Sequence, residues 1–138
     1  MRIVLDTDVM VAALRSAAGA SRRLLVAGID RRITLLVSPA LVLEYESVSK
    51  RPEHLVASRS SEAAVDIVLN QLVASSDHVK MHYLWRPQLA DVGDELVLEA
   101  AINGRADALA TFNMRDFEAG AKRFGLKVCR PGDLWRSL

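Results

Sequence analysis

The sequence predicts an α/β fold, a central and mainly parallel sheet flanked by helices. Three observations predict it. Short apolar or β-branched runs alternate with longer stretches of helical spacing, the pattern of strands joined by crossover helices. Such a sheet is covered on both faces, and its strands are correspondingly apolar. The first run, Ile3-Val4-Leu5, ends abruptly in Asp6-Thr7-Asp8, delivering carboxylates where ligands sit in these folds, outside the carboxyl ends of the strands.

The elements follow in order. Ile3–Leu5 is a strand, and residues 9–15 form a helix with Val9, Ala12 and Ala13 on one face. A second helix from Ala20 carries Leu24, Leu25 and Ile29, with Gly28 placed to cap it. Thr34–Val37 is β-branched and apolar, hence a strand. Ser38-Pro39 then opens a helix, Ser as N-cap and Pro in the first turn, which runs to Lys50 and stops at Pro52. Residues 61–75 form a longer helix with Ala64, Ile67, Val68 and Leu72 inward, followed by a strand over 79–81. Residues 94–103 are apolar almost all round, as in a buried helix, and Asn103-Gly104 closes it. A short strand at Ala108–Ala110, a helix over 113–124 and a last strand over 126–128 complete the alternation.

At 138 residues the chain is one domain, 1–138, with no repeat, linker or low-complexity stretch. Nothing approaches the roughly 18 apolar residues of a membrane span, and Asp6 and Asp8 break the N-terminal apolar stretch that would otherwise imitate a signal peptide. The single Cys129 excludes an internal disulfide and a multi-cysteine zinc site, and fits a cytoplasmic protein. Aromatics are 5%, too few for a nucleic-acid surface built on stacking. The net charge of +1 does not by itself argue for a polyanion. The first third is nevertheless basic, through Arg15, Arg22, Arg23, Arg31, Arg32, Lys50 and Arg51, either as a solvated surface or as local attraction for a polyanion.

Four acids resist an ordinary explanation. Asp6 ends a buried strand and, with Asp8, gives one helix terminus more acid than capping needs. Glu44 falls on the inward stripe of Leu41, Tyr45 and Val48, where a carboxylate is costly unless paired or metal-bound. Asp94 heads the buried helix beside Asp91 and Glu95, beyond what the helix dipole asks for. Asp116 follows a short strand, with Asn113 as a neutral oxygen donor in the same turn. In a parallel sheet these helix starts gather at one edge. Crowded carboxylates raise one another's pKa until a cation neutralises them. Oxygen-only donors favour Mg²⁺ or Mn²⁺ over Zn²⁺. His54, His78 and His82 are scattered and read as surface or turn residues. Such a site suits phosphoryl chemistry.

The residues resemble a known family. Val4-Leu5-Asp6-Thr7-Asp8-Val9 is similar to the opening motif of PIN domains, in which Asn more often stands at the place of Asp8. The segment from Val37 to Glu44 resembles their second acidic motif, Asp94 to Ala101 the third, and Ala110-Thr111-Phe112-Asn113 the fourth. Asn113 stands where an acid is frequent, and Asp91-Val92-Gly93 replaces a run usually richer in Asp and Pro. The resemblance implies a PIN-like three-layer fold and a metal-dependent endoribonuclease. Asp6, Glu44 and Asp94 would hold Mg²⁺ or Mn²⁺ and activate a water, either Asp116 or Asn113 completing the site, with Thr7, Asp8 and Thr111 as accessory residues. It also implies a VapC-like toxin of a toxin-antitoxin pair, with an RNA substrate, a protein antitoxin and a homodimer among its partners; Leu24, Leu25, Val68 and Leu72 are either a dimer face or core. Two rivals differ in class. A haloacid-dehalogenase-type phosphatase would use Asp6 as nucleophile and Asp8 as general acid, but leaves Glu44 without a role and finds Leu98 where it wants an acid. A PIN fold with little or no catalysis would serve as a binding protein.

Overall fold

The structure, a computed structural model, describes residues 1–80 and 91–138. Five parallel strands form one sheet in the order β3-β2-β1-β4-β5, and eight helices flank it among the described residues. Strand β1 (Arg2–Leu5) is central, paired with β2 (Thr34–Val37) on one side and β4 (Ala108–Ala110) on the other. The chain moves outward from β1 to β2 and β3 (Asp77–His78), then crosses to β4 and β5 (Lys127–Cys129). The order reverses between β1 and β4, which is where open α/β sheets leave a crevice.

The helices are α1 (Thr7–Arg15), α2 (Ala20–Ile29), α3 (Pro39–Ser49), α4 (Pro52–Ser58), α5 (Glu62–Ser75), α6 (Val92–Asn103), α7 (Met114–Phe124) and α8 (Pro131–Ser137). Helix α3 begins as its residues dictate: Ser38 Oγ accepts from the Leu41 amide at 3.1 Å and Pro39 opens the first turn. The core is aliphatic, built from Ile3, Val4 and Leu5 of β1, Leu35 and Leu36 of β2, and Leu24, Leu41, Leu72 and Leu98 of the helices. At roughly 25 cal/mol per Å² of apolar surface, each fully buried leucine contributes about 2 kcal/mol.

Several sequence expectations need correction. Gly28 lies inside α2 and does not cap it; Asp30 does. Gly28 is there because Leu35 packs on its backbone, and a Cβ would stand 2.2 Å from Leu35 Cδ1. Ile67 points outward at 60% exposure, and the buried stripe of α5 is Val65, Leu69 and Leu72. The third strand is Asp77–His78, earlier than expected, with the Val79 amide still bonded to Val37 O at 2.8 Å; Met81 lies outside the described residues. Pro52 does not merely stop α3 but opens α4, which the sequence reading missed along with α8. Both begin with Pro at N1 and are short. Leu24, Leu25 and Leu72 are core, so they supply no dimer face. No helix among the described residues is long and apolar enough to cross a membrane.

Candidate functional site

The carboxyl ends of β1 and β4 bring Asp6 and Thr111 side by side. Pairing of the two strands fixes their backbones, and the Asp6 amide continues the ladder by bonding Ala110 O at 2.9 Å. Asp6 is buried, at 4% exposure, and acts as N-cap of α1: its Oδ1 accepts from the Thr7 amide at 2.7 Å. Its Oδ2 accepts from the buried Thr111 hydroxyl at 2.6 Å. Capping and site are therefore the same carboxylate. Below it, the buried Tyr45 hydroxyl donates to Leu5 O, bracing the strand end. Burial first, and the Asp6 charge second, push the Tyr45 phenol far above its ordinary range.

Asp8 sits one step into α1. Its Oδ2 accepts from the Phe112 amide at 3.1 Å and from Asn113 Nδ2 at 3.2 Å, while the Asn113 amide bonds Thr111 Oγ1 at 2.9 Å. The turn after β4 thus clamps both acids. Asp8 Oδ1 is buried with no hydrogen-bond partner. The two carboxyls lie near enough to act on each other electrostatically. Burial, then the neighbouring Asp8 charge, raises Asp6 to about 7. Asp8 is raised as well, chiefly by burial.

Asp94 comes from the opposite side, in the first turn of α6. Asp91 is the N-cap of that helix, its Oδ1 accepting from the Asp94 amide at 3.1 Å. Helix α6 thus starts at Val92, before Asp94. Asp94 is raised to about 7, by burial first and then by the charges of Asp6, Asp91, Asp116 and Glu44. Those causes place the five acids within one another's field. Glu44 projects from the second turn of α3, near the start of that helix. Its carboxylate reaches the backbone of α6, where a Cβ on Gly93 would stand 3.1 Å from Oε1. Glycine at this position leaves room for Glu44 beside Asp94.

Together these groups line a cleft of ≈ 620 Å³. Of the sequence candidates, Asp6, Thr7, Asp8, Glu44, Asp94 and Asn113 line it, joined by Asp91 and Gly93. Thr111 lies beneath, holding Asp6. Asp116 is exposed in the first turn of α7 and outside the cleft wall, near enough to act on Asp94 through its charge. Glu95 and Glu99 are buried on α6 and take no part in the lining. The sequence reading missed His54 and Phe112. His54 was passed over because α4 was not foreseen; Pro52 at N1 was the available signal. His82 lies outside the described residues.

The donor set is all oxygen, which suits Mg²⁺ or Mn²⁺. Asp8 Oδ1 lacks a partner, and Asp6 and Asp94 carry raised pKa values, both of which a cation would relieve. Among the described residues, no three His, Cys, Asp or Glu side chains stand ready-made to hold a metal. The residues fit a divalent ion chemically, and binding one requires their side chains to close in.

A family model described as the PIN domain matches residues 2–115. No curated protein matches the chain in sequence. Nine chains of solved structures match it in fold. One belongs to the crystal structure of VapBC2 from Rickettsia felis bound to a DNA fragment from their promoter; it superposes with a TM-score of 0.63 at 17% identity, covering 94% of this chain and 98% of that one.

Proposed function

The chain belongs to the PIN-domain family, and on that premise we propose that it is a divalent-metal-dependent endoribonuclease that hydrolyses RNA phosphodiester bonds. The observation that carries this is the meeting of Asp6, Asp8, Glu44 and Asp94 in one cleft, with Asp6 and Asp94 both raised to about 7. Asp6, Glu44 and Asp94 would hold Mg²⁺ or Mn²⁺. When bound, the ion polarises the scissile phosphate and lowers the pKa of an attacking water. Thr111 fixes the Asp6 carboxylate by donating to Oδ2, leaving its other lone pairs to the ligand. Asn113 and the Phe112 amide hold Asp8, which supports the site from behind as an accessory acid. Asp116, exposed beside the cleft, acts on Asp94 through its charge, while Asn113, whose Nδ2 is given to Asp8, keeps its side-chain oxygen for the site; either would complete it.

The phosphatase alternative loses its footing. Glu44, which lines the cleft and reaches the backbone of α6 at Gly93, has no part in that chemistry. The VapBC2 likeness, in a protein solved with a promoter fragment, supports a toxin role for this chain with a protein antitoxin as partner, acting in the cytoplasm. The test is direct. Purified protein should cleave RNA with Mg²⁺ or Mn²⁺ and stop in EDTA, and Asp94→Asn should abolish cleavage without unfolding the chain. Cleavage persisting in excess EDTA would overturn the metal mechanism. Inducible expression should slow growth and Asp6→Asn should relieve it. A PIN-fold binding protein is the second reading, favoured by Asn113 where an acid is frequent; it predicts a copurifying partner and no cleavage.

A further inference from the structure

The cleft does not end at the acids. Its lining continues along α1 through Val11 and Ala12 to Arg15 and Ser16, and there meets Val48, Arg51 and His54. Asp8, Val11, Ala12 and Arg15 are spaced three, four and seven apart, so they form one stripe on the helix. Seven residues at 1.5 Å rise separate Arg15 from Asp8 by roughly 10 Å. Helix α4 packs against α1, and Arg51, at its N-cap, and His54, in its first turn, line the same cleft as Arg15. The cleft is therefore polar along its length, acidic at the start of α1 and basic at its end.

The cations are not spoken for. Of the other basic residues early in the chain, Arg22 and Arg31 donate to the backbone carbonyls of Ala13 and Ala74, Arg32 faces Asp30, Lys50 is paired with Asp66 at 2.7 Å, and Arg23 lies outside the cleft lining. Among the described residues, Arg15 and Arg51 have no ion-pair partner, and both are exposed on the cleft. His54 Nδ1 is buried without a hydrogen-bond partner, an unusual condition for a ring nitrogen.

We propose that Arg15, Arg51 and His54 form a subsite for the phosphate backbone of a single RNA strand, flanking the bond cut at the acidic end. The proposal rests on the nuclease reading above. Physically, an acid-lined site repels a polyanion, and a cationic stretch in the same cleft offsets that repulsion while fixing the strand's direction. At about 3.4 Å per phosphate in a stacked strand, a span of roughly 10 Å puts the basic end two to three phosphates from the scissile bond. An acidic segment of a protein is the competing occupant. RNA is favoured because the acidic end of the same cleft is where its phosphodiester must go.

The experiment measures binding of a fluorescein-labelled oligouridylate to the full chain in EDTA, over a range of salt, for wild type, R15A/R51A, R15K/R51K and H54A. EDTA stops cleavage, so binding is read independently of the nuclease chemistry. R15A/R51A should weaken binding several-fold and lower the salt slope of log K by about 1.4, the counterions of two phosphate contacts on a single strand. R15K/R51K should keep most of the slope, and H54A should weaken binding with the slope intact. An unchanged salt slope in R15A/R51A overturns the proposal, as does equal competition by poly-glutamate at matched charge. If wild type binds with the expected slope yet cleaves nothing with Mg²⁺, the nuclease reading fails while the backbone subsite stands.

Discussion

The two ends of the β-sheet treat charge in opposite ways. At the amino end, Arg2 gives its guanidinium to Asp77 at 2.8 Å and to Gly104 O at 2.9 and 3.1 Å, and its amide to Asp107 at 2.7 Å. Arg2 and Asp77 face each other there, and the Asp107 carboxylate is met by a backbone amide. At the carboxyl end, five carboxylates share a cleft, one oxygen is buried without a partner, and Asp6 and Asp94 are both raised to about 7. Folding alone would not select the second arrangement, since buried like charges cost stability. The difference marks which end is structural and which end waits for a ligand.

The sharpest way to break this contrast is to remove a carboxylate. Asp6→Asn or Asp94→Asn should lower RNA cleavage by about a hundredfold or more, since even residues that only orient a metal ligand cost 10–100-fold. Circular dichroism should show the fold retained. Thr111→Val removes the hydroxyl that orients Asp6 and should cost roughly 10–100-fold in Mn²⁺ affinity, read by titration calorimetry.

Stability against pH comes next. The folded-state pKa of Asp6 is about 7, above its ordinary 3.8, so between these values the folded chain keeps a proton that the unfolded chain has released. The contribution of Asp6 to metal-free stability should therefore be fully present below about pH 4 and be lost, by a few kcal/mol, as pH rises through about 7. Thermal melts at a series of pH values check this. Asp6→Asn should flatten the profile, and Mn²⁺ at pH 8 should restore the wild type. A wild-type melt that rises steadily from pH 4 to 8 would contradict the electrostatics of the cleft. The smallest effect belongs to the other end. The Arg2–Asp77 pair is about half exposed, so Arg2→Ala should cost about 1 kcal/mol in urea unfolding and leave cleavage unchanged.

Most of the fold was legible because it is written in local signals. The strand Thr34–Val37 and the Ser38-Pro39 helix start appear where the sequence put them, since β-branching and capping act over a few residues. Short helices α4 and α8 were missed because one or two turns carry too little periodicity to read. Gly28 was misjudged for a different reason: its use lies in Leu35, seven residues away along the chain but in contact with it across the packing between α2 and β2. Of the candidate site, Asp6, Glu44 and Asp94 were visible as acids in apolar company, whereas His54 had no pattern to announce it.

By itself, then, the sequence determined the α/β alternation, the acids that end strands and interrupt apolar stripes, and the motifs shared with PIN domains. These depend on neighbours a few residues apart. Only the tertiary structure decided that Thr111 holds Asp6, that Asn113 gives its Nδ2 to Asp8, that Asp116 stands beside the cleft, and that Arg15 and Arg51 share the acids' cleft. Thr111 and Asp6 are 105 residues apart in the chain, and the pairing of β1 with β4 alone brings them to 2.6 Å. Which acids lose water, which find a donor and which are left facing one another depends on such long-range pairings, and no local pattern encodes them.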